Sequence, residues 1–188
     1  MIKAITGNMF SGKSYTLIGM LNKLISTPKD YRRVKIFKPK IDTRDKGMIK
    51  SRDSSVTYSA ILIEDLNEIN QYVDAYVETI VIDEAQFLKG DISVIIDLHL
   101  KGIDFIIAGL NQTSEQKPFG LMRDILCIAT DIEILKAKCE YCGGINAYYS
   151  YLEGKNKEDA ILVDGFYRPI CRKCLNNILN KESWNNER

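Results

Sequence analysis

Four short strand-like segments with apolar centres constrain the fold of this chain more than any other feature of its sequence. They read MIKAIT at 1–6, RRVKIFKP at 32–39, TIVIDEA at 79–85 and GIDFIIAGL at 102–110. Segments with helical spacing of apolar residues lie between them, namely SYTLIGMLNKLIS at 14–26, LNEINQYVDAY at 66–76 and DISVIIDLHL at 91–100. Apolar strands separated by amphipathic helices predict an α/β fold with a parallel sheet that helices cover on both faces.

The composition limits the possible functions. The chain has 188 residues, which is enough for one ordinary domain with a small appendage. Lysine and arginine number 26 against 25 acidic residues, so the strong positive field of a dedicated nucleic-acid-binding protein is missing. The sequence near the start does not resemble a signal peptide, and no segment is long enough to cross a bilayer. We expect a cytoplasmic protein that binds neither membranes nor nucleic acid.

The first apolar segment runs into GNMFSGKS, and a helical pattern follows. This is the spacing of a phosphate-binding loop, in the strand–loop–helix context that the motif requires. The glycines let backbone N–H groups point inward, Lys13 can reach the β- and γ-phosphates, and Ser14 can bind Mg²⁺. We therefore expect a P-loop that holds ATP or GTP through Gly7, Asn8, Met9, Phe10, Ser11, Gly12, Lys13 and Ser14.

A second motif, DEAQF at 83–87, directly follows an apolar strand. An acidic residue at the end of such a strand can hold magnesium through water, which is the role predicted for Asp83. Glu84 comes next, and a carboxylate beside the phosphates can accept a proton from an attacking hydroxyl. Gln86 either supports the metal site or is an ordinary loop residue.

Three loops should meet at one crevice. The segments 7–14, 83–86 and 108–113 each follow a predicted strand. Ligands of open parallel sheets bind beyond the carboxyl ends of the strands, so we expect the nucleotide site there.

Four of the five cysteines form two C-x-x-C pairs. In a reducing compartment this spacing indicates a metal site, and four thiolates make a closed tetrahedral site for structural Zn²⁺. The ligands predicted are Cys139, Cys142, Cys171 and Cys174. The single histidine, His99, lies in a predicted helix far from the cysteine pairs, which argues against a catalytic zinc site. The fifth cysteine, Cys127, is expected in the core.

The character of the sequence changes near residue 137. Cysteine pairs, several tyrosines and the polar stretch EGKNKEDA replace the alternation of strands and helices. We predict two domains: an α/β nucleotide-binding domain at 1–136 and a small zinc-binding domain at 137–188.

Together these motifs resemble those of the type II thymidine kinases, which are P-loop deoxynucleoside kinases with a zinc-bearing lasso domain. The resemblance covers nearly the whole chain. It rests on GNMFSGKS, KPKIDTR at 38–44 with SR at 51–52, DEAQF, AGL followed by KPFG at 117–120, CEYC at 139–142 and FYRPICRKC at 166–174. It implies transfer of a phosphoryl group from ATP to the 5′-hydroxyl of thymidine.

The resemblance also implies roles for the matching residues. Glu84 becomes the general base, Asp83 and Ser14 serve magnesium, and Lys13 serves the phosphates. Because phosphoryl transfer depends mostly on alignment and charge neutralisation, these groups suffice for the chemistry.

Further residues follow from the same resemblance. Arg44 matches an arginine near the phosphates, Asp42 is expected to orient its loop, and Gln86 joins the nucleotide-binding set. Tyr167 is expected to clamp the sugar and base, while backbone groups at 163–165 bond the edge of the base. The full predicted nucleoside pocket is Met9, Phe87, Leu110, Phe119, Tyr149, Val163, Asp164, Gly165 and Tyr167.

Several positions depart from the family pattern. The usual Gly-Leu-Asp ends in Asn111, and Ser114 stands where an aromatic residue is common. The family's Thr-x-Arg pair falls on Tyr149 and Tyr151, unless a one-residue insertion makes Ser150 the threonine equivalent. In the lasso, Ile-Gly-Gly becomes Val-Asp-Gly at 163–165. The catalytic motifs are intact, so these differences bear on the choice of acceptor base.

Three other functions remain open from the sequence. A tyrosine near the base could favour deoxyuridine or deoxycytidine over thymidine, since a methyl group is worth only about 1–3 kcal/mol of discrimination. The chain could instead be a non-catalytic nucleotide-binding relative, although such a protein has no need of Glu84. The zinc pairs and the basic segment YRRVKIFKPK are the only hints of a nucleic-acid role. The resemblance further implies a homotetramer, or a dimer, with dTTP as feedback inhibitor.

Overall fold

The structure is a computed structural model of the chain. It describes residues 1–51, 54–153 and 165–186, with side chains described as far as residue 180. Among these residues, no helix combines the length and the apolar character that crossing a membrane requires.

A six-stranded parallel sheet forms the centre of the protein. Its strands are β1 (Ile2–Gly7), β2 (Val34–Pro39), β5 (Ile61–Ile63), β6 (Thr79–Ile82), β7 (Asp104–Gly109) and β8 (Asp131–Leu135). Their spatial order is β5-β2-β6-β7-β1-β8, and every pairing is parallel. The strand that precedes the P-loop therefore lies beside β7, and β6 lies between β2 and β7.

Apolar side chains cover both faces of the sheet, as the apolar strands predict. Along β6, Ile80 and Ile82 pack on one face, and Val81 packs on the other. The face of Val81 is covered by helix α1 (Lys13–Leu24), and the opposite face by α2 (Ser93–Leu100) and α3 (Met122–Ile128). The predicted α/β class is confirmed.

Several elements differ from the sequence prediction. The segment predicted as a helix over 66–76 is a short 3₁₀ helix at Leu66–Tyr72, capped by Asp65 and Glu68 and extended again from Val73. A hairpin of β3 (Met48–Ser51) and β4 (Ser54–Ser59), the strands β5 and β8, and the helix α3 carry too weak a periodic signal and were not predicted.

The C-terminal part has a small core of its own. Strands β9 (Ala147–Leu152) and β10 (Tyr167–Cys171) pair in antiparallel fashion, and α4 (Arg172–Asn186) follows. Ala137, Cys139, Ala147, Ile170 and Leu175 form its buried cluster. The domain division at 136/137 stays a prediction, but this cluster is separate from the two that flank the large sheet.

Candidate active site

A cavity of about 680 Å³ lies at the carboxyl ends of the parallel strands. The loops after β1, β2, β6 and β7 contribute to its wall, so the predicted convergence is confirmed. The lining residues are Met9, Phe10, Ser11, Gly12, Lys13, Ser14, Tyr15, Lys38, Arg44, Asp45, Lys50, Ser51, Asp83, Glu84, Phe87, Leu110, Gln112, Thr113, Ser114, Phe119, Ser150 and Tyr167.

The P-loop has the tight geometry that its glycines allow. Gly7 has a φ of 147°, and a Cβ there would lie 2.3 Å from the carbonyl oxygen of Leu135. Gly12 has a φ of 89° and directly precedes α1. Residues 9–14 line the cavity. Gly7 and Asn8 are not among the described residues that line it.

Lys13 is buried and points back over the loop. Its Nζ donates to the carbonyl oxygens of Gly7 at 3.3 Å and Asn8 at 2.9 Å. Burial lowers the pKa of Lys13, whereas the carboxylates of Glu84 and Asp83 raise it. The ammonium group thus lies at the cavity wall, within the field of both acidic residues.

The P-loop is tied to β9. Asn8 Nδ2 donates to the carbonyl oxygen of Tyr149 at 3.2 Å, and the backbone N–H of Met9 donates to Ser150 Oγ at 3.0 Å. Ser150 is buried and lines the cavity, whereas the ring of Tyr149 packs against the C-terminal cluster. Ser150 lines the pocket, whereas Tyr149 is not among the described residues that do. This placement favours the alternative with one inserted residue, and the binding role of Tyr149 stays a prediction.

Asp83 is a buried carboxylate at the end of β6. Burial is the largest cause that raises the pKa of Asp83, the neighbouring Glu84 acts in the same direction, and Lys38 and Lys13 oppose them, so that the net pKa is about 7. The side chains of Asp83 and Ser14 both line the cavity, and they offer the oxygen ligands that Mg²⁺ prefers. The residues present therefore fit a magnesium ion, and the assignment of these ligands stays a prediction.

Glu84 is held by one hydrogen bond at each carboxylate oxygen. Arg44 Nη2 donates to Oε1 at 2.8 Å, and Gln86 Nε2 donates to Oε2 at 2.6 Å. The backbone of Glu84 is left-handed, with a φ of 53°, and its N–H donates to Asp83 Oδ1 at 3.0 Å. A left-handed backbone is strained for a residue with a side chain, and such strain is common at functional sites.

A buried network supports Arg44. Its Nε and Nη2 bond the two oxygens of Asp42 at 2.7 and 3.0 Å, and Lys38 Nζ lies 3.0 Å from Asp42 Oδ2. Burial acts to raise the pKa of Asp42, but the two cations outweigh it and hold the pKa below its usual value. Asp42, in turn, raises the pKa of Arg44. Lys38, Asp42 and Arg44 of the KPKIDTR motif thus form one network of ion pairs.

Part of the cavity wall, called the apolar end below, is formed by apolar and aromatic side chains. Phe87 and Phe119 pack edge to face with ring centroids 5.4 Å apart, and Met9 and Leu110 also line this wall. Tyr167 lines the cavity, whereas Gly165 does not within the described residues. The predictions for Val163 and Asp164, and the motif residue Arg52, lie outside the described residues.

Sequence reasoning missed several polar residues of the wall. Lys38 and Lys50 add cations, and Gln112 both lines the cavity and donates to the carbonyl oxygen of Tyr148 at 2.7 Å. Lys38 had a signal, because a lysine in an apolar strand needs a buried partner and Asp42 is four residues away. Asn111 does not line the cavity among the described residues, whereas Ser114 does.

The four predicted zinc ligands lie together. Their sulfur atoms are within 4.8 Å of one another, and those of Cys142 and Cys171 are 3.8 Å apart. Tetrahedral zinc with Zn–S bonds of about 2.3 Å places neighbouring sulfurs about 3.8 Å apart. Burial acts to raise the pKa of Cys139, but hydrogen bonds from backbone N–H groups, that of Cys171 first, lower it to about 6. The cluster fits a closed structural zinc site.

Cys127 differs from its prediction. It was expected in the core, yet it is exposed on α3, because that helix buries Met122 and Ile125 instead. It lies outside the cluster of four cysteines.

Comparisons with known proteins agree with this geometry. A family model described as thymidine kinase matches residues 1–175. The chain belongs to the thymidine kinase family. It is 36% identical over 197 residues to a thymidine kinase of Aster yellows witches'-broom phytoplasma, which covers 98% of this chain and 92% of the relative. It is 37% identical over 178 residues to a thymidine kinase of Mycoplasma mobile, covering 92% and 86% of the two chains. A thymidine kinase of Bacteroides fragilis is 35% identical over 184 residues, covering 96% and 89%.

Membership of the thymidine kinase family gives the chain a coarse function. The family consists of kinases, so the protein uses a nucleotide as phosphate donor and a small nucleoside as substrate.

The buried network predicts a large stability effect at Asp42. The side chains of Lys38 and Asp42 are 2% and 0% exposed, so replacing Asp42 with Asn leaves Lys38 without its main counter-charge. We expect Asp42→Asn to lower the free energy of unfolding by about 3–5 kcal/mol in urea titrations. Asp45→Asn is the matched control, because Asp45 is 37% exposed and 3.7 Å from the same Nζ; it should cost less than about 1 kcal/mol. Equal effects of the two changes would contradict the network.

The cysteine cluster predicts selective loss of zinc. The purified protein should carry about one zinc ion per chain by elemental analysis. Cys171→Ser should lose most of it and unfold at a lower temperature, because metal binding supplies folding free energy. Cys127→Ser, at an exposed position outside the cluster, should keep both the zinc and the unfolding temperature. Equal zinc content in the two variants would refute the assignment.

Proposed function

We propose that this chain transfers the γ-phosphoryl group of ATP to the 5′-hydroxyl of thymidine and yields dTMP. The observation that carries the proposal is the position of Glu84, which shares one cavity with the P-loop residues and with an apolar, aromatic pocket. The family membership of the chain supports the choice of reaction.

The P-loop end is assigned to the phosphates. Backbone N–H groups of residues 12–14 and the Lys13 ammonium bind the phosphate oxygens, and Lys13 exchanges its bonds to the loop carbonyls for them. Ser14 and Asp83 would hold the magnesium ion, which neutralises charge on the phosphates when bound. Asp83 must be ionised for this role, and the cations of Lys38 and Lys13 favour that form.

Glu84 is assigned the role of general base. Its carboxylate takes the proton of the 5′-hydroxyl as the oxygen attacks the γ-phosphorus. The O–H bond breaks while the new P–O bond forms, and the bond between the γ-phosphorus and the bridging oxygen of the β-phosphate breaks, so that ADP leaves. Each carboxylate oxygen has a second lone pair besides the one used by Arg44 or Gln86, so the hydroxyl can bind without displacing either donor.

The apolar end is assigned to the nucleoside. Met9, Leu110 and the aromatic pair Phe87 and Phe119 form walls on which a flat base can pack. Tyr167 lies at the same cavity and is proposed to contact the sugar. Backbone groups at 163–165 are proposed to bond the base edge, as the family resemblance implies.

Ser114 Oγ is buried at the cavity wall and lacks a hydrogen-bond partner among the described residues. Its hydroxyl can donate to the O4 carbonyl oxygen of thymidine or deoxyuridine, or accept from the amino group of deoxycytidine. The experiment that follows therefore compares all three acceptors.

The proposal is tested by incubating the protein with Mg-ATP and each pyrimidine deoxynucleoside. We expect phosphorylation of thymidine with the highest kcat/KM, ahead of deoxyuridine and deoxycytidine. A higher kcat/KM for deoxycytidine would show that thymidine is not the preferred acceptor, but the proposed phosphoryl transfer would stand. Absence of product from every deoxynucleoside would overturn the proposed function.

Replacing Glu84, the proposed general base, should slow the chemical step without weakening nucleotide binding. We expect Glu84→Gln to lower kcat by about 10²- to 10⁴-fold, because the amide cannot accept the hydroxyl proton. Binding of an ATP analogue, followed by calorimetry, should change little. Glu78→Gln is the control, since Glu78 pairs with Arg33 at an exposed position away from the cavity; it should keep the wild-type rate. A Glu84→Gln protein with full kcat would exclude Glu84 as the base.

Finer properties are proposed from family membership. We expect a homotetramer, with a dimer as the alternative, inhibition by dTTP in competition with thymidine, and a place of action in the cytoplasm. Light scattering and inhibition kinetics check the first two.

A further inference from the structure

Gln86 is buried directly behind the general base. Its side chain is 3% exposed, and it is not among the described residues that line the cavity. It was predicted as a nucleotide-binding residue, but from this position it contacts Glu84 and the backbone of Leu110 instead. We propose that Gln86 is a positioning residue whose amide fixes the Glu84 carboxylate relative to the acceptor end of the cavity. This inference rests on the proposed function.

Both ends of the amide are in use. Nε2 donates to Glu84 Oε2 at 2.6 Å, and Oε1 accepts the N–H of Leu110 at 2.9 Å. Leu110 is the first residue after β7 and lines the apolar end of the cavity. The amide therefore connects the carboxylate that follows β6 to the wall that holds the acceptor.

Two glycines make room for Gln86. A Cβ at Gly109 would lie 2.7 Å from Gln86 Oε1, and a Cβ at Gly120 would lie 2.0 Å from the carbonyl oxygen of Gln86. Real Cβ atoms do not approach other atoms so closely. The segments that contain Gln86, Gly109 and Gly120 thus pack closely around one buried amide. This close packing fixes the position of the amide, which would not be expected of a mobile loop residue.

The amide complements Arg44. The side chain of Arg44 is 31% exposed at the cavity and charged, so it can respond to the arriving phosphates. Gln86 is neutral and buried, and it holds the other carboxylate oxygen from the core side. Two donors on different oxygens restrict rotation of the carboxylate about its terminal bond, which keeps the remaining lone pairs directed at the hydroxyl. A displacement of about 1 Å in such a group can cost about 10²-fold in rate.

Two substitutions of nearly equal length test the proposal. Gln86→Met removes both hydrogen bonds, and we expect kcat to fall by about 10- to 100-fold with little change in the KM for ATP. Gln86→Glu keeps an acceptor for the Leu110 N–H but puts a second carboxylate beside Glu84. Like charges raise the pKa of a carboxyl group, so the acid limb of the kcat/KM profile should move up by about one pH unit or more. Gln71→Met, at an exposed position of the 3₁₀ helix, is the matched control and should behave as wild type.

The readouts separate positioning from simple stability. Rates are normalised to the fraction of folded protein from thermal unfolding and to bound ATP analogue. Loss of rate only in proportion to folded protein, with an unshifted pH profile, would overturn the proposal, as would failure of both variants to fold. An active wild type with unchanged variants refutes the role of Gln86 alone. A wild type that phosphorylates no nucleoside refutes the proposed function first.

Discussion

The pair of hydrogen bonds on the Glu84 carboxylate is the interaction around which the site is arranged. Glu84 follows β6, and β6 lies between β2 and β7 in the sheet. Arg44 reaches Glu84 from the loop after β2, and Gln86 links it to the residue after β7. The strand order thus places Arg44, from the loop after β2, directly on one carboxylate oxygen, and places the Leu110 N–H, at the end of β7, on the Gln86 amide that holds the other oxygen. The two neighbouring strands of the parallel sheet in this way set the geometry of a single side chain.

Several features of the site lower the stability of the folded state, and the rest of the fold must offset them. Burying the charges of Lys38 and Asp42 costs several kcal/mol per ion, and close pairing offsets it only when the geometry is good. The left-handed backbone of Glu84 adds strain that the surrounding contacts must hold. Such features add little to net stability. We explain them by function, because they hold the Arg44 guanidinium and the Glu84 carboxylate in fixed positions at the cavity wall.

Much of this was accessible from the sequence. Apolar strands and the G-x-x-x-x-G-K-S spacing are local signals, so the four central strands of the sheet, α1 and the convergence of three loops were predicted correctly. The four zinc ligands were equally readable, because each C-x-x-C pair is a local pattern. The position of Ser150 rather than Tyr149 at the pocket depends on the register of β9 against β10, which no local pattern specifies. The contacts of Gln86 depend on Gly109 and Gly120, which only the tertiary fold brings beside it. Cys127 shows the same limit, since apolar neighbours in sequence did not place it on the buried face of its helix.

The C-terminal module and the P-loop form a continuous site. Asn8 and Met9 bond to β9, so the P-loop is held against the same C-terminal part of the chain that contains the cysteine cluster. The central claim is that Glu84 meets the acceptor hydroxyl inside this cavity. A crystal structure with thymidine, Mg²⁺ and a non-hydrolysable ATP analogue measures this directly. The account predicts the 5′-oxygen about 2.6–3.2 Å from a Glu84 carboxylate oxygen, with Gln86 still bonded to the other side of that group. A nucleoside bound with its 5′-oxygen remote from Glu84, or a Glu84 side chain turned out of the cavity, would contradict it.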